Sequence, residues 1–83
     1  MEITFKLFAT LGDYLPPEAK FNQVALQVKE GTSVQAVIDP FNLPPKLVHL
    51  VLLNGQYVNP EDRSTKLLQE GDVLAVWPPI AGG

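Results

Sequence analysis

The last two residues of the sequence, Gly82 and Gly83, are the residues best suited to take part in a reaction. Glycine loses more backbone entropy on ordering than any other residue, so a pair of them adds little to a folded domain. Their value lies in the α-carboxylate, which can enter a narrow slot because neither residue carries a Cβ. We expect the carboxyl group of Gly83 to react in a partner's active site. The alternative is a frayed chain end without a role.

Outside the tail, few residues stand in arrangements that suit catalysis or metal binding. The chain has no cysteine and one histidine, His49, which excludes a catalytic thiol and disfavours a metal site. Two acidic pairs, Glu61 with Asp62 and Glu70 with Asp72, lie in predicted turns, where solvated carboxylates are ordinary. We therefore expect the folded body to have no active site, no bound metal and no bound cofactor. The chain is predicted not to be an enzyme.

Composition places the 83 residues among small globular proteins, because 46% of them are hydrophobic. No apolar run reaches the roughly 18 residues of a membrane span, and the first residues alternate instead of forming a signal-peptide core. The net charge is -3 and the basic residues are scattered, so the electrostatic footprint of a nucleic-acid-binding protein is missing. We expect one cytoplasmic domain that binds neither nucleic acid nor membrane.

Hydrophobic periodicity predicts the elements of the first half of the chain. Residues 3–7 and 24–28 alternate between apolar and polar side chains, as strands with one buried face do. Residues 9–21, with a glycine and two prolines, are predicted to form a loop. Thr32 or Ser33 is expected to cap a short helix, which ends near Asp39 because Pro40 disfavours helical geometry before it. Phe41 is expected to pack from just beyond the helix.

The second half of the chain predicts three more strands. Residues 49–53 are almost continuously apolar and precede Asn54-Gly55, a sequence typical of a tight hairpin turn. Residues 56–58 would form the short return strand, and Leu67 with Leu68 would anchor the following segment to the core. The last strand covers residues 73–77 and ends at Pro78, because proline cannot donate to a strand ladder.

This order of elements predicts an α+β fold of the β-grasp, or ubiquitin-like, type. A mixed sheet of four to five strands would pack on one short helix, with the first and last strands side by side at its centre. Residues 1–77 would form the domain and residues 78–83 a flexible tail ending in Gly-Gly. Trp77 shares a strand face with Val73 and Ala75, and is either a buried core residue or an anchor for a partner. Phe8, on the polar side of the first strand, raises the same question.

Three segments, FATLGDYL, LLNGQYV and LLQEGDVLAVWPPIAGG, together resemble the MoaD/ThiS family of ubiquitin-like sulfur carriers over nearly the whole chain. The tail is closest to that of the molybdopterin synthase small subunit. The resemblance implies that an adenylyltransferase of the ubiquitin-activating type uses ATP to adenylate Gly83. Sulfur then replaces AMP to give a thiocarboxylate, which donates sulfur in molybdenum or tungsten cofactor biosynthesis.

The resemblance also implies how partners bind. The molybdopterin synthase large subunit, or an equivalent sulfur acceptor, would take up the tail, whose six residues from Pro78 extend roughly 19 Å at polyproline rise. ATP would be consumed by the activating partner. The residues expected to contact partners are Phe8, Trp77, Pro78, Pro79, Ile80 and Ala81, with Gly82 and Gly83 at the reacting end.

Two departures from the molybdopterin small subunits keep other functions open. Gly12 stands where those subunits commonly carry arginine, and the helix before Pro40 is shorter than theirs. The alternatives are a sulfur carrier of the thiamine pathway, a ubiquitin-like modifier joined to lysines through Gly83, and a β-grasp interaction module with an inert tail.

Overall fold

The first and last strands lie side by side and parallel at the centre of a five-stranded mixed sheet. The computed structural model of the protein describes residues 1–79. The strands are β1 (Glu2–Leu7), β2 (Gln23–Gln27), β3 (Leu50–Leu53), β4 (Gln56–Tyr57) and β5 (Val73–Trp77). Their order in the sheet is β2-β1-β5-β3-β4, and every pair except β1 with β5 is antiparallel. The predicted β-grasp fold is confirmed.

One face of the sheet forms the hydrophobic core with the helix α1 (Val34–Ile38). Alternation along β1 buries Ile3, Phe5 and Leu7. The core-facing residues of β5, Leu74 and Val76, are also buried. Within residues 1–79 the opposite face of the sheet is not covered by α1, so side chains that point to this side are exposed or half-buried unless a neighbour covers them.

The helix is short for reasons that can be read from the sequence. Ser33 caps its first turn, because the Ser33 hydroxyl accepts a hydrogen bond from the backbone N–H of Ala36 at 3.1 Å. The α-helix ends at Ile38, and a 3₁₀ turn (Asp39–Phe41) containing Pro40 follows. The ring of Phe41 packs on Phe5 with centroids 4.6 Å apart. The predicted cap, helix end and Phe41 contact are confirmed.

Two hairpin turns have consecutive residues with positive φ, the geometry of a type I′ turn. The predicted turn at Asn54-Gly55 has φ values of 51° and 84°. The second turn joins Lys20 to β2 through Phe21 and Asn22, with φ values of 55° and 63°. Phenylalanine is unusual in this conformation, and the sequence therefore carries no signal for the second turn.

Two parts of the sequence-based prediction were wrong. The segment after β1, predicted as an irregular loop, contains a 3₁₀ helix (Ala9–Tyr14) that buries Leu11. Leu67 is 53% exposed, and only Leu68 anchors the segment before β5 to the core. Neighbouring side chains in extended backbone point to opposite sides, so both leucines cannot enter the same core.

Within residues 1–79, none of the helices has the length and apolar character that a membrane span needs.

Candidate functional site

The rings of Phe8 and Trp77 stack face to face where β1 and β5 end. Their centroids are 3.9 Å apart and the ring planes differ by 7°. The parallel register explains this contact, because Leu7 lies opposite Val76 and the next residue of each strand is therefore also a neighbour. We call this pair the aromatic platform.

The aromatic platform lies on the face of the sheet opposite α1. Trp77 follows the predicted alternation, opposite in direction to the buried Leu74 and Val76, and it is 36% exposed. It is therefore not a core tryptophan. Phe8, the other ring of the stack, is half-buried. A rigid, partly exposed aromatic pair is typical of protein-binding surfaces, and the role of both residues as partner contacts stays a prediction.

Backbone hydrogen bonds fix the end of β5 on both sides. The N–H of Phe8 donates to the carbonyl of Val76, and the N–H of His49 donates to the carbonyl of Trp77, each at 3.1 Å. Pro78 is buried and Pro79 is exposed. The chain thus leaves the sheet from a central strand, at a point held by two neighbours and capped by residues without an N–H.

Leucines of β3 extend the apolar character of this face. Leu50 lies directly opposite Trp77, and Leu52 lies opposite Ala75. Both leucines are half-buried, whereas Val51 and Leu53, which alternate with them along β3, are buried in the core. These two leucines were not among the predicted site residues, although the two-sided hydrophobicity of residues 49–53 was a signal for their position.

The remaining predicted site residues, Ile80, Ala81, Gly82 and Gly83, lie outside the described residues. Their roles as reacting group and partner contacts stay predictions, as does the flexibility of the tail from residue 78 onward. Pro78 is the part of that tail that packs against the domain.

The Glu70 and Asp72 carboxylates accept hydrogen bonds that organise turns. Asp72 accepts from the side-chain amide of Asn54 at 2.9 Å and from the backbone N–H of Gln69 at 2.8 Å. Glu70 accepts from the backbone N–H of Glu2 at 3.1 Å and 3.2 Å. The side-chain oxygen of Asn54 completes the network by accepting from the N–H of Val73 at 2.8 Å. The motifs around Asn54-Gly55 and Gly71-Asp72 therefore join the β3–β4 hairpin to the start of β5.

The other candidate residues do not come together. Glu61 and Asp62 are exposed in a 3₁₀ turn (Pro60–Asp62), and His49 is exposed just before β3. Within residues 1–79, no three histidine, cysteine or acidic side chains are grouped so that they could hold a metal ion.

Close packing of Asn22 explains why residue 12 is a glycine. A Cβ added there would lie 2.7 Å from the side-chain nitrogen of Asn22. That nitrogen donates to the carbonyl of Leu7 at 3.1 Å, and the N–H of Leu7 donates to the carbonyl of Asn22 at 3.0 Å. Gly12 therefore makes room for the hairpin turn that precedes β2.

The chain matches the family model described as Mut7-C ubiquitin over residues 1–81. No curated protein matches it.

Among solved structures, SAMP1 from Haloferax volcanii superposes with a TM-score of 0.72 at 24% identity, covering 100% of both chains. The HVO 2177 protein of the same organism has a TM-score of 0.72 at 26% identity, covering 100% of this chain and 87% of that one. A chain from the complex of subunits 1 and 2 of the molybdopterin-converting factor from Helicobacter pylori 26695 has a TM-score of 0.65 at 18% identity. The match covers 100% of this chain and 100% of that one.

These likenesses confirm the fold that the resemblance to the MoaD/ThiS carriers implied. The match to the family model covers all of β1 to β5 and the aromatic platform. The chain belongs to the Mut7-C ubiquitin family, a family of ubiquitin-like domains, and shares its β-grasp fold with SAMP1 and with the molybdopterin-converting factor.

Proposed function

We propose that this protein is a ubiquitin-like sulfur carrier whose C-terminal Gly83 is adenylated and converted to a thiocarboxylate. It acts in the cytoplasm as the sulfur donor in molybdopterin-type cofactor biosynthesis. The carrier has no catalytic site of its own, and ATP is consumed by an activating partner of the adenylyltransferase class.

The observation that carries the proposal is the construction of the end of β5. Hydrogen bonds from Phe8 and His49 hold the last two carbonyls of the strand, and the aromatic platform covers one side of it. The chain that follows Pro79 therefore starts from a fixed point beside a partly exposed aromatic surface. A carrier needs this arrangement, since the partner must dock on a rigid surface while it takes up the tail.

The chemistry assigned to Gly83 begins with a carboxylate that is a poor electrophile. An α-carboxyl group has an ordinary pKa of about 3.3–3.7, so it is ionised at neutral pH. One carboxylate oxygen attacks the α-phosphorus of ATP, pyrophosphate leaves, and an acyl-adenylate forms. A sulfide nucleophile then attacks the carbonyl carbon, the bond to AMP breaks, and the thiocarboxylate remains.

The same arrangement supports a proposal about the partners. The molybdopterin-converting factor of Helicobacter pylori was solved as a complex of its two subunits. We propose that a large subunit of that class, or an equivalent sulfur acceptor, docks on Phe8, Trp77 and Pro79, with the buried Pro78 linking Trp77 to Pro79. Ile80 and Ala81 would then lead the two glycines into its active site.

A second function, covalent modification of other proteins, is favoured by a different likeness. SAMP1, which superposes over the full length of both chains, is a small archaeal modifier protein. The same acyl-adenylate would in that case be attacked by a lysine amine, which forms an isopeptide bond and releases AMP. The thiamine-pathway carrier and the inert interaction module stay as further alternatives.

Intact-mass spectrometry of the protein tests the carrier function. The purified chain is incubated with a cognate activating enzyme, ATP and sulfide, and its mass should rise by the difference between sulfur and oxygen. A variant that lacks Gly83 should keep its mass and its thermal stability. Absence of the shift with an activating enzyme that adenylates the chain would contradict the sulfur-carrier proposal.

Two further observations separate the alternatives. Both the carrier and the modifier function require that the protein in cells ends at Gly83. Intact-mass measurement of the protein isolated from cells checks this. Denaturing blots of the same cells distinguish carriage from modification, because a modifier gives slowly migrating conjugates and a carrier gives only the free chain.

A further inference from the structure

The outer edge of β2 has backbone groups that bond to no other strand within residues 1–79. Among the described strands, β2 is the first in the sheet order and pairs with β1 alone. Met1 and Val28 exchange backbone hydrogen bonds at 2.9 Å, and Leu7 bonds to Asn22 at 3.0 Å. The antiparallel register alternates between bonded and non-bonded pairs, so it turns the N–H and C=O groups of Ala25 and Gln27 outward.

An apolar groove runs along this edge, between β2 and the helix side of the molecule. Its volume is about 240 Å³. Most of its lining is aliphatic or aromatic, and none of it is charged. The lining residues are Leu26, Gln27, Val28, Thr32, Ala36, Val37, Pro40 and Phe41.

The short helix leaves this groove open. α1 ends at Ile38, and Pro40 lies in the 3₁₀ turn that replaces its next turn. Ala36, which faces the groove, is exposed and has only a methyl side chain. A longer helix with larger side chains would cover the flank of β2, whereas here Leu26 and Val28 are only half-buried.

We propose that the β2 edge and this groove bind an extended segment of another protein by strand addition. The segment would bond to the outward groups of Ala25 and Gln27, with apolar side chains at alternate positions. Residues of the added strand opposite Leu26 point to the same side as Leu26, into the groove. Residues opposite Ala25 point to the other face, where polar side chains suit the solvent.

Size and charge favour this occupant over two others. The groove is smaller than the roughly 300–1,000 Å³ of small-molecule sites. A five-residue edge strand offers far less than the roughly 800 Å² per partner of a stable interface between folded chains, so a second copy of this chain is disfavoured. The uncharged lining matches a segment whose inward residues are valine or isoleucine. The proposal does not depend on the chemistry of Gly83, so either can fail alone.

Two-dimensional NMR of the ¹⁵N-labelled full chain tests the proposal. The probe is a capped nine-residue peptide in which Val and Ile alternate with Thr. We expect it to shift the amide signals of Ala25 and Gln27 and to slow their hydrogen exchange, because both N–H groups gain an acceptor. A peptide with proline at the central position should not bind, since it cannot complete the ladder.

Two matched variants test the groove. Ala36→Glu places a charge in the apolar groove and should weaken peptide binding at least about tenfold, because the carboxylate would be buried. Gln23→Glu adds the same charge to β2 on the opposite face, at a residue whose backbone groups already bond to Lys20, and should change the affinity less than about threefold.

Three results would overturn the proposal. One is an absence of amide shifts at Ala25 and Gln27 with millimolar peptide. Another is equal binding of the proline-containing peptide, which would exclude strand addition. The third is a set of shifts that depends on protein concentration without peptide, which would assign the edge to a second copy.

Discussion

The indole ring of Trp77 lies 3.9 Å from the phenyl ring of Phe8, nearly parallel to it, although 68 residues separate them in the sequence. The parallel pairing of β1 and β5 brings these rings together, so the aromatic platform exists only when the central sheet is formed. Its integrity therefore reports on the same structure that fixes the start of the tail.

The stack should appear as coupling between two truncations. Phe8→Ala and Trp77→Ala should each lower the free energy of unfolding, and the double variant should lose about 1 kcal/mol less than their sum. Urea denaturation of the four proteins measures this cycle. Additivity within about 0.3 kcal/mol would mean that the rings do not stabilise each other.

Trp77 should matter more for transfer than for folding. We expect Trp77→Ala to slow thiocarboxylate formation about tenfold or more, because a partly exposed aromatic ring beside the tail would anchor the activating partner. The rate is measured by intact mass at limiting enzyme concentration. Tyr57→Ala is the control, since Tyr57 is a 49% exposed aromatic residue on the edge strand β4. Equal rates of thiocarboxylate formation for both variants would exclude Trp77 as an anchor for the activating partner.

Phe21 should be replaceable with a gain in stability. Its side chain is 92% exposed and its φ is 55°, so it contributes little packing and sits in a conformation that asparagine tolerates better. Phe21→Asn should raise the free energy of unfolding by about 1 kcal/mol. Phe21→Ala, which removes the ring and keeps the strain, should give no comparable gain. A loss of stability in both variants would mean that the ring packs on the domain.

Gly12 and Asn22 should behave as a coupled pair. Gly12→Ala brings a methyl group to 2.7 Å from the Asn22 amide and should break its hydrogen bond to Leu7. We expect a loss of about 1 kcal/mol, which should vanish in an Asn22→Gly background because no side chain remains to be displaced. Denaturation of the single and double variants measures the coupling. A full loss in both backgrounds would point to backbone strain at Gly12.

The carboxylate of Asp72 should stabilise the folded protein through its hydrogen bonds. Asp72→Ala removes acceptors from Asn54 and from the N–H of Gln69 and should cost about 2 kcal/mol of stability. Glu61→Ala, at an exposed acidic residue of the other pair, should change stability by less than about 0.5 kcal/mol. Thermal and chemical denaturation give both values. Similar small effects at the two positions would show that the Asp72 network adds nothing to stability.

The predictable parts of this fold are those in which local chemistry and tertiary packing agree. The Ser33 cap, the helix end before Pro40 and the Asn54-Gly55 turn each follow from the local chemistry of one or two residues, and all three are present. The turn at Phe21-Asn22 could not be predicted, because tertiary hydrogen bonds to Leu7 hold a phenylalanine where glycine or asparagine is normal. Leu67 was misassigned because hydrophobicity alone does not tell which of two adjacent leucines faces the core.

The same contrast holds for the site. Trp77 and Phe8 could be singled out as large aromatics at the ends of two strands, yet their direct contact depends on the parallel register of β1 and β5. Leu50 and Leu52 can be assigned to the same face as Trp77 only when the pairing of β3 with β5 is known. Residues that act through cross-strand neighbours need the sheet order before they can be recognised.

The central position of β5 has a mechanical consequence. A pull on the chain beyond Pro79 loads the ladders to β1 and β3 along the strand direction, so their hydrogen bonds must break together. A strand at the edge of the sheet, such as β4, could instead be peeled away from its single neighbour. An enzyme that draws the chain end into a slot can therefore apply tension to this domain without unzipping it.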